Sequence, residues 1–160
     1  MGVITYDTQV TSSIPPARLF KAFVLDGDHL MPKLMPSIIK SVEILQGDGG
    51  PGTIKLTSFG EGSQLKCLKQ RVDVIDKENL TYCYSVIEGE ALKGVFESIS
   101  YEIKFLSSPD GGTICKNTSK YHTKGDVHIS EEEIKKGKDK ASSMFKVVEA
   151  HLLANPDAYN

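Results

Sequence analysis

Residues 47–57 read Gly47, Asp48, Gly49, Gly50, Pro51, Gly52, Thr53, Ile54, Lys55, Leu56, Thr57. The fold turns on whether these glycines cradle a phosphate or reverse the chain. The spelling G-x-G-x-x-G marks a dinucleotide site only where a strand enters it and a helix leaves. Here the exit, Thr53 to Thr57, is rich in β-branched residues and carries no helix start signal, so it reads as a strand. A Walker loop is excluded because Lys55 does not directly follow Gly52. A kinase glycine loop would need catalytic-loop and metal-binding aspartate motifs that the chain lacks. Gly47, Gly49, Gly50 and Gly52 are therefore expected to serve a hairpin, supplying positive φ and a tight reversal. Weak retention of an anion on their backbone amides is a residual expectation.

Working outward from the hairpin, period-two patterns continue in both directions. Six strand candidates lie near 41–46, 53–59, 65–75, 80–87, 95–106 and 113–123, each junction carrying turn chemistry such as Pro109, Asp110, Gly111, Gly112. Short connections imply antiparallel neighbours. Upstream, Ile4, Tyr6 and Val10 share one face of a first strand, with Thr5, Asp7 and Gln9 on the other. Ser13 offers an N-cap, Pro15 and Pro16 suit a first helical turn, and Leu19, Phe20 and Phe23 follow before Asp26 and Gly27 stop the run. Asp28 is expected to cap a second short helix that Pro36 ends. The last element is a long helix opened by a Ser130/Glu133 capping box and closed by Asn155 and Pro156. Its stripe of Ile134, Ala141, Phe145, Val148 and Leu152, with Met144 and Leu153 beside it, is expected to face the sheet.

A chain of 160 residues suits one domain, which these expectations place over residues 1–160, and is long enough to bury a substantial core without disulfides. Net charge is −2, from 19 basic and 21 acidic residues, so no basic field holds a nucleic-acid backbone and no specific nucleic-acid partner is expected. Cys67, Cys83 and Cys115 are odd in number and lack metal-knuckle spacing, which predicts buried free thiols in a reducing compartment. No stretch has the length of a signal peptide core or a membrane span, so the expected location is cytoplasmic, without a membrane partner. No metal cluster or cofactor motif is present, and neither a metal nor a cofactor is expected.

Across the strands one face collects Phe59, Leu65, Cys67, Tyr82, Tyr84, Val86, Ile99, Tyr101 and Tyr121. The N-terminal half of the long helix offers mainly lysines, Gly137 and Ala141, too little volume to fill the space above that face. Two outcomes stay open on pattern alone: a cavity between helix and sheet, or a solid core completed by Phe23, Met31 and Ile39. Lys55, Asn117 and the tyrosine hydroxyls favour a pocket, because buried polar groups need partners.

Several stretches together resemble the plant pathogenesis-related class ten proteins, the family of the birch pollen major allergen. They are residues 14–23 (IPPARLFKAF), 25–28, 47–55 (GDGGPGTIK), 84–89 (YSVIEG), 121–126 (YHTKGD) and 152–160 (LLANPDAYN), and the resemblance covers essentially the whole chain. It implies an α+β helix-grip fold: a seven-stranded antiparallel sheet wrapped around a long C-terminal helix, two short helices and an internal cavity. It further implies binding of small amphipathic plant metabolites of the flavonoid, cytokinin, steroid or fatty-acid classes, a role in plant defence, a monomer, and IgE recognition as an allergen. The cavity positions it carries over are Phe23, His29, Met31, Ile39, Lys55, Phe59, Leu65, Cys67, Tyr82, Tyr84, Ile99, Tyr101, Gly137, Ala141 and Met144. Asn117 and Tyr121 join them from the strand pattern. The chain departs from the family at Cys67, where many relatives carry an aromatic, and near Asn117, where many are apolar.

The same resemblance implies a runner-up function, a ribonuclease acting on single-stranded RNA through Lys55, Glu97, Glu149 and the position two residues later, here His151. Histidine suits acid–base chemistry near neutral pH but departs from the family tyrosine. Distant relatives catalyse condensations with a lysine, a carboxylate and a tyrosine. Lys55 and Tyr84 match part of that set, and no inward carboxylate is evident beside them. The corresponding gate and latch loops, 59–63 and 88–92, lack the residues with which hormone-receptor relatives recruit a phosphatase. His122 and His128 are expected to straddle the turn before the long helix.

Overall fold

Six ladders, all antiparallel, join seven strands in the order β1-β7-β6-β5-β4-β3-β2, as the short connections require. The computed structural model describes residues 2–61, 66–89, 92, 94–125 and 130–159. The strands are β1 (Gly2–Ser12), β2 (Ile39–Gln46), β3 (Ile54–Phe59), β4 (Cys67–Asp76), β5 (Thr81–Gly89), β6 (Phe96–Ser107) and β7 (Thr113–Thr123). Every strand after β1 pairs with its neighbour in sequence, and β1 closes against β7 over its full length, from Gly2 opposite Thr123 to Ser12 opposite Thr113. Exposure alternates along β1 as its polar and apolar residues do.

Between β1 and β2 the chain forms α1 (Pro16–Phe20), a π-helical turn (Lys21–Leu25) and α2 (Gly27–Leu34). Ser13 does not cap α1. Pro15 holds that position, and its carbonyl accepts from Leu19 N at 3.2 Å. The wide turn closes where Asp26 N reaches back to the Lys21 carbonyl at 2.9 Å. Asp26 occupies the cap of α2, its carbonyl receiving His29 N and Leu30 N. Asp28, expected there, lies in the first turn instead, which leaves its carboxylate free for another task. The helix ends ahead of Pro36, at Met35, as the pre-proline restriction demands.

The long helix is α3 (Glu131–Ala154). Phe145, Val148 and Leu152 are buried, while Leu153, expected beside the stripe, is 57% exposed. The side chains of Glu133, Ile134, Gly137 and Ala141 lie outside the described residues. Asn155 ends the helix by returning its side chain to the His151 carbonyl at 2.8 Å. The C-terminal segment is then clamped by Arg18 of α1, whose guanidinium donates to the carbonyls of Leu152 and Asn155 at 2.6 Å and of Ala158 at 2.7 Å.

Two apolar clusters bracket the interior. One gathers Ile14, Leu19, Phe20, Leu30, Val72, Phe105, Phe145, Val148 and Leu152, with Phe23 stacked on Phe145 at a centroid distance of 5.3 Å. The other gathers Val86, Leu92, Phe96 and Ile99.

Candidate functional site

Beneath α3 lies a cavity of about 520 Å³. Its wall draws on β1 (Thr8, Gln9, Val10), the α1–α2 region (Phe23, Val24, Gly27, Asp28, Met31), β2 and β3 (Ile39, Val42, Lys55, Thr57, Phe59) and β4 (Leu68, Gln70). Tyr82 and Tyr84 of β5, Ile103 and Phe105 of β6, Cys115 and Asn117 of β7, and Asp139, Ser142, Met144 and Phe145 of α3 complete it. Strand parity places these residues together. Tyr82 pairs with Ile103, and Ile103 with Asn117, so one row of side chains crosses three strands on the same face.

One charged feature of the wall is an ion pair between elements. Lys55 Nζ stands 2.8 Å from Asp28 Oδ2 and 3.0 Å from Oδ1, with side-chain exposures of 7% and 33%. A buried ammonium is tolerable only with such a partner. Here, then, is the inward carboxylate that the sequence did not reveal, and it also explains why Asp28 is not spent on capping α2.

Phenols form the second feature. Tyr84 stacks on Tyr101 at 4.9 Å and lies 5.3 Å from Tyr82. The Tyr82 hydroxyl is raised well above the ordinary phenol value, first by burial and then by the Asp28 and Asp73 carboxylates. Tyr84 and Tyr101 are raised by burial and by neighbouring tyrosines. All three stay neutral near pH 7, as hydroxyls able to donate or accept. Cys115 is pushed up to about 11 by burial, so its thiol stays neutral too.

Of the positions expected at the site, Phe23, Met31, Ile39, Lys55, Phe59, Tyr82, Tyr84, Asn117 and Met144 line the cavity. Ile99, Tyr101 and Tyr121 point to the same side of the sheet but are absorbed by the second apolar cluster, which closes that end. Two expectations are corrected. His29 is 89% exposed on its side chain and pairs with Asp26 at 3.2 Å, outside the cavity. Cys67 is exposed and not a buried thiol, because β3 and β4 pair Thr57 with Leu68 and Lys55 with Gln70. The inward residues of β4 are therefore Leu68 and Gln70, one position out of phase with Cys67, and a one-residue slip swaps faces. Leu65 lies outside the described residues, as do parts of the gate and latch loops and His128.

Sequence reasoning missed Asp28, Gln70, Thr57, Cys115, Asp139 and Ser142 as wall residues. Cys115 and Asn117 are two apart on one strand, a signal that could have found the first from the second.

The ribonuclease set is not drawn into one site. Lys55 faces the cavity, while Glu97 is exposed on β6, and Glu149 and His151 of α3 are not on the wall. The His151 ring lies against the Asn155 amide at 3.4 Å. His122 sits within β7 rather than in a turn, with Nε2 3.3 Å from Ser100 Oγ. Among the described residues no group of His, Cys, Asp and Glu is placed to hold a metal, and no helix is long and apolar enough to cross a membrane.

The glycine loop is a hairpin turn. Gly47, Gly49 and Gly52 have φ of 99°, 99° and 90°. The anion-binding expectation meets amides already committed within the chain: Gly49 N to Thr53 Oγ1 at 2.9 Å, Gly50 N to Asp48 Oδ1 at 3.0 Å and Gly52 N to the Val72 carbonyl at 2.7 Å.

An antiparallel sheet wrapped over its C-terminal helix, with a cavity between, defines the helix-grip class of α+β proteins. The chain belongs to the pathogenesis-related protein Bet v 1 family, whose model matches residues 1–155. It is 63% identical over 160 residues to the major allergen Pru ar 1 of Prunus armeniaca, with all of both chains covered. It is 60% identical over 159 residues to the major strawberry allergen Fra a 1-2 of Fragaria ananassa, covering 99% of each. The crystal structure of Ara h 8.0201 superposes with a TM-score of 0.85 at 38% identity, covering 96% of this chain and 100% of that one.

Proposed function

We propose that the protein is a single-domain carrier or sensor that binds one small amphipathic plant metabolite in the cavity beneath α3. The observation that carries this is the wall itself: aromatic and aliphatic side chains interspersed with polar ones, among them the Lys55–Asp28 pair, whose lysine is buried, and the neutral hydroxyls of Tyr82 and Tyr84. A volume of about 520 Å³ falls in the range of small-molecule sites. The Lys55 ammonium retains donor capacity beyond its carboxylate, which suits a carbonyl, phenolate or carboxylate on the ligand. The tyrosine faces suit ring stacking. Flavonoid, cytokinin, steroid and fatty-acid ligands all answer this description, and a role in plant defence accords with the family.

No cofactor enters the proposed function. Free cysteines accord with a cytoplasmic protein. The naming of relatives at about 60% identity as major allergens supports recognition by IgE as a second property of the same molecule.

The test is a melting series against flavonoids, cytokinins, steroids and fatty acids. A ligand at a hundred times its Kd stabilises by about 2.7 kcal/mol, or about 5 to 10 °C in a domain of this size. A concentration-dependent rise is expected for at least one class in the wild type and a weaker one in Lys55→Met. No rise with any class refutes the carrier function.

A further inference from the structure

Asn117 stands in the wall on β7. Its cross-strand partners are Thr8 of β1 and Ile103 of β6, and Cys115 precedes it on the same face. Its Oδ1 is buried without a hydrogen-bond partner among the described residues. Buried amide oxygens almost always find a donor, and one left unpaired is costly to stability. The oxygen faces away from the open space; a half-turn about the last side-chain bond exchanges it with the amide nitrogen, which brings the acceptor to the cavity and the donor to the buried side. The other polar pole, the Lys55–Asp28 pair, lies on β3 and α2. Strands β4, β5 and β6 separate it from Asn117, and their contribution between the poles includes the rings of Tyr82, Tyr84 and Phe105.

We infer that Asn117 is a specificity-determining residue, whose carboxamide accepts a hydrogen bond from a hydroxyl on the ligand at the end remote from Lys55. The ligand class follows from the two poles: an elongated ring system with an acceptor or anionic group for Lys55, apolar rings between, and a hydroxyl donor at the far end. A single-headed hydrocarbon chain leaves the amide oxygen unpaired and is disfavoured by this wall. The inference rests on the ligand-binding function proposed above and deepens it. It also accounts for an amide in a place where leucine would serve a dry core better, since a donor brought by the ligand completes the site.

The experiment compares flavanone with its 7-hydroxy and 4′-hydroxy derivatives, which place one hydroxyl at either end of the same skeleton. Affinities are measured by calorimetry for the wild type, Asn117→Leu and Asn117→Ala. One derivative is expected to bind the wild type about tenfold more tightly than the parent, the scale of one hydrogen bond to a buried acceptor. In both variants that preference is expected to fall within about twofold, whatever the change in affinity for parent flavanone. Ligand-free Asn117→Leu is expected to melt several degrees above the wild type, because an unpaired acceptor has been replaced by an apolar group. A preference that survives in the variants, or that the wild type lacks, overturns the inference while the carrier function stands. Lower melting temperatures in both ligand-free variants make Asn117 structural and overturn it as well. Failure of all three probes to bind the wild type, alongside a flat melting series, sinks the carrier function and the inference with it.

Discussion

Removing either half of the Lys55–Asp28 pair gives unequal results, and the inequality follows from where each charge sits. The Lys55 side chain is 7% exposed and that of Asp28 33%. Asp28→Ala strands an ammonium in the cavity wall, which must shed its proton or draw water inward. Breaking a fully buried pair in this way costs about 3–5 kcal/mol, and the partial exposure here points to about 2–4 kcal/mol. Lys55→Met leaves a carboxylate that water already reaches and adds an apolar chain to an apolar wall, so the loss is about 1 kcal/mol or less. The double variant Asp28→Asn/Lys55→Met is expected to return to within about 1 kcal/mol of the wild type, since neither charge is then stranded. Urea denaturation at neutral pH, with thermal melts in parallel, measures all three. At about 2–4 °C per kcal/mol, Asp28→Ala melts roughly 4 to 16 °C low. Equal losses for the two single variants, or a larger one for Lys55→Met, would refute the assignment of burial to lysine and solvation to aspartate.

Two more predictions concern the hairpin and the interior thiol. A Cβ at Gly47 would lie 2.7 Å from Thr53 Oγ1 and 2.8 Å from Thr53 Cα at a φ of 99°, whereas one at Gly49, also at 99°, meets nothing within 4 Å. Thermal melts should therefore grade Gly47→Ala as clearly worse than Gly49→Ala, which carries only the left-handed penalty of about 1–2 kcal/mol; equal melting would refute the steric account. Cys115 is raised from the ordinary thiol value near 9 to about 11. The unfolded chain releases this proton first, so its contribution is complete below about pH 9 and is lost as pH rises toward 11, by roughly 2–3 kcal/mol. Urea midpoints across that interval should fall less steeply in Cys115→Ala than in the wild type, and parallel slopes would refute the assignment.

The fold was legible because its signals are local. Residues 113–123 appear as a strand with the expected bounds, and the turn chemistry of the glycine loop reports directly on φ. The wall of the site was legible where strand parity runs unbroken, as from Tyr82 to Tyr84 on β5. It failed at β4, whose phase is fixed by pairing with β3 and is then shifted by irregularities at Lys69/Gln70 and Val72/Val74. Cys67 and Leu68 look equally suited to the interior until that register is known. Parity also tells which way a side chain points but not where a cavity ends, so Ile99, Tyr101 and Tyr121 were expected at a site and serve a core. Asp28 escaped for a different reason. Its partner is 27 positions away, and a carboxylate beside a helix start has a local explanation that competes with any distant one.

The ladder between β1 and β7 has a consequence for the growing polypeptide. Gly2 and Thr123 are 121 positions apart, so β1 leaves the ribosome long before the strand that will cover its edge exists. At about 5–20 residues per second that interval is roughly 6–24 s. Throughout it β1 presents an unpaired row of amides and carbonyls, open to capture by other nascent chains. Pairing of β1 is thus an event of late synthesis, and until then the N-terminal strand lacks the neighbour that covers it in the finished sheet.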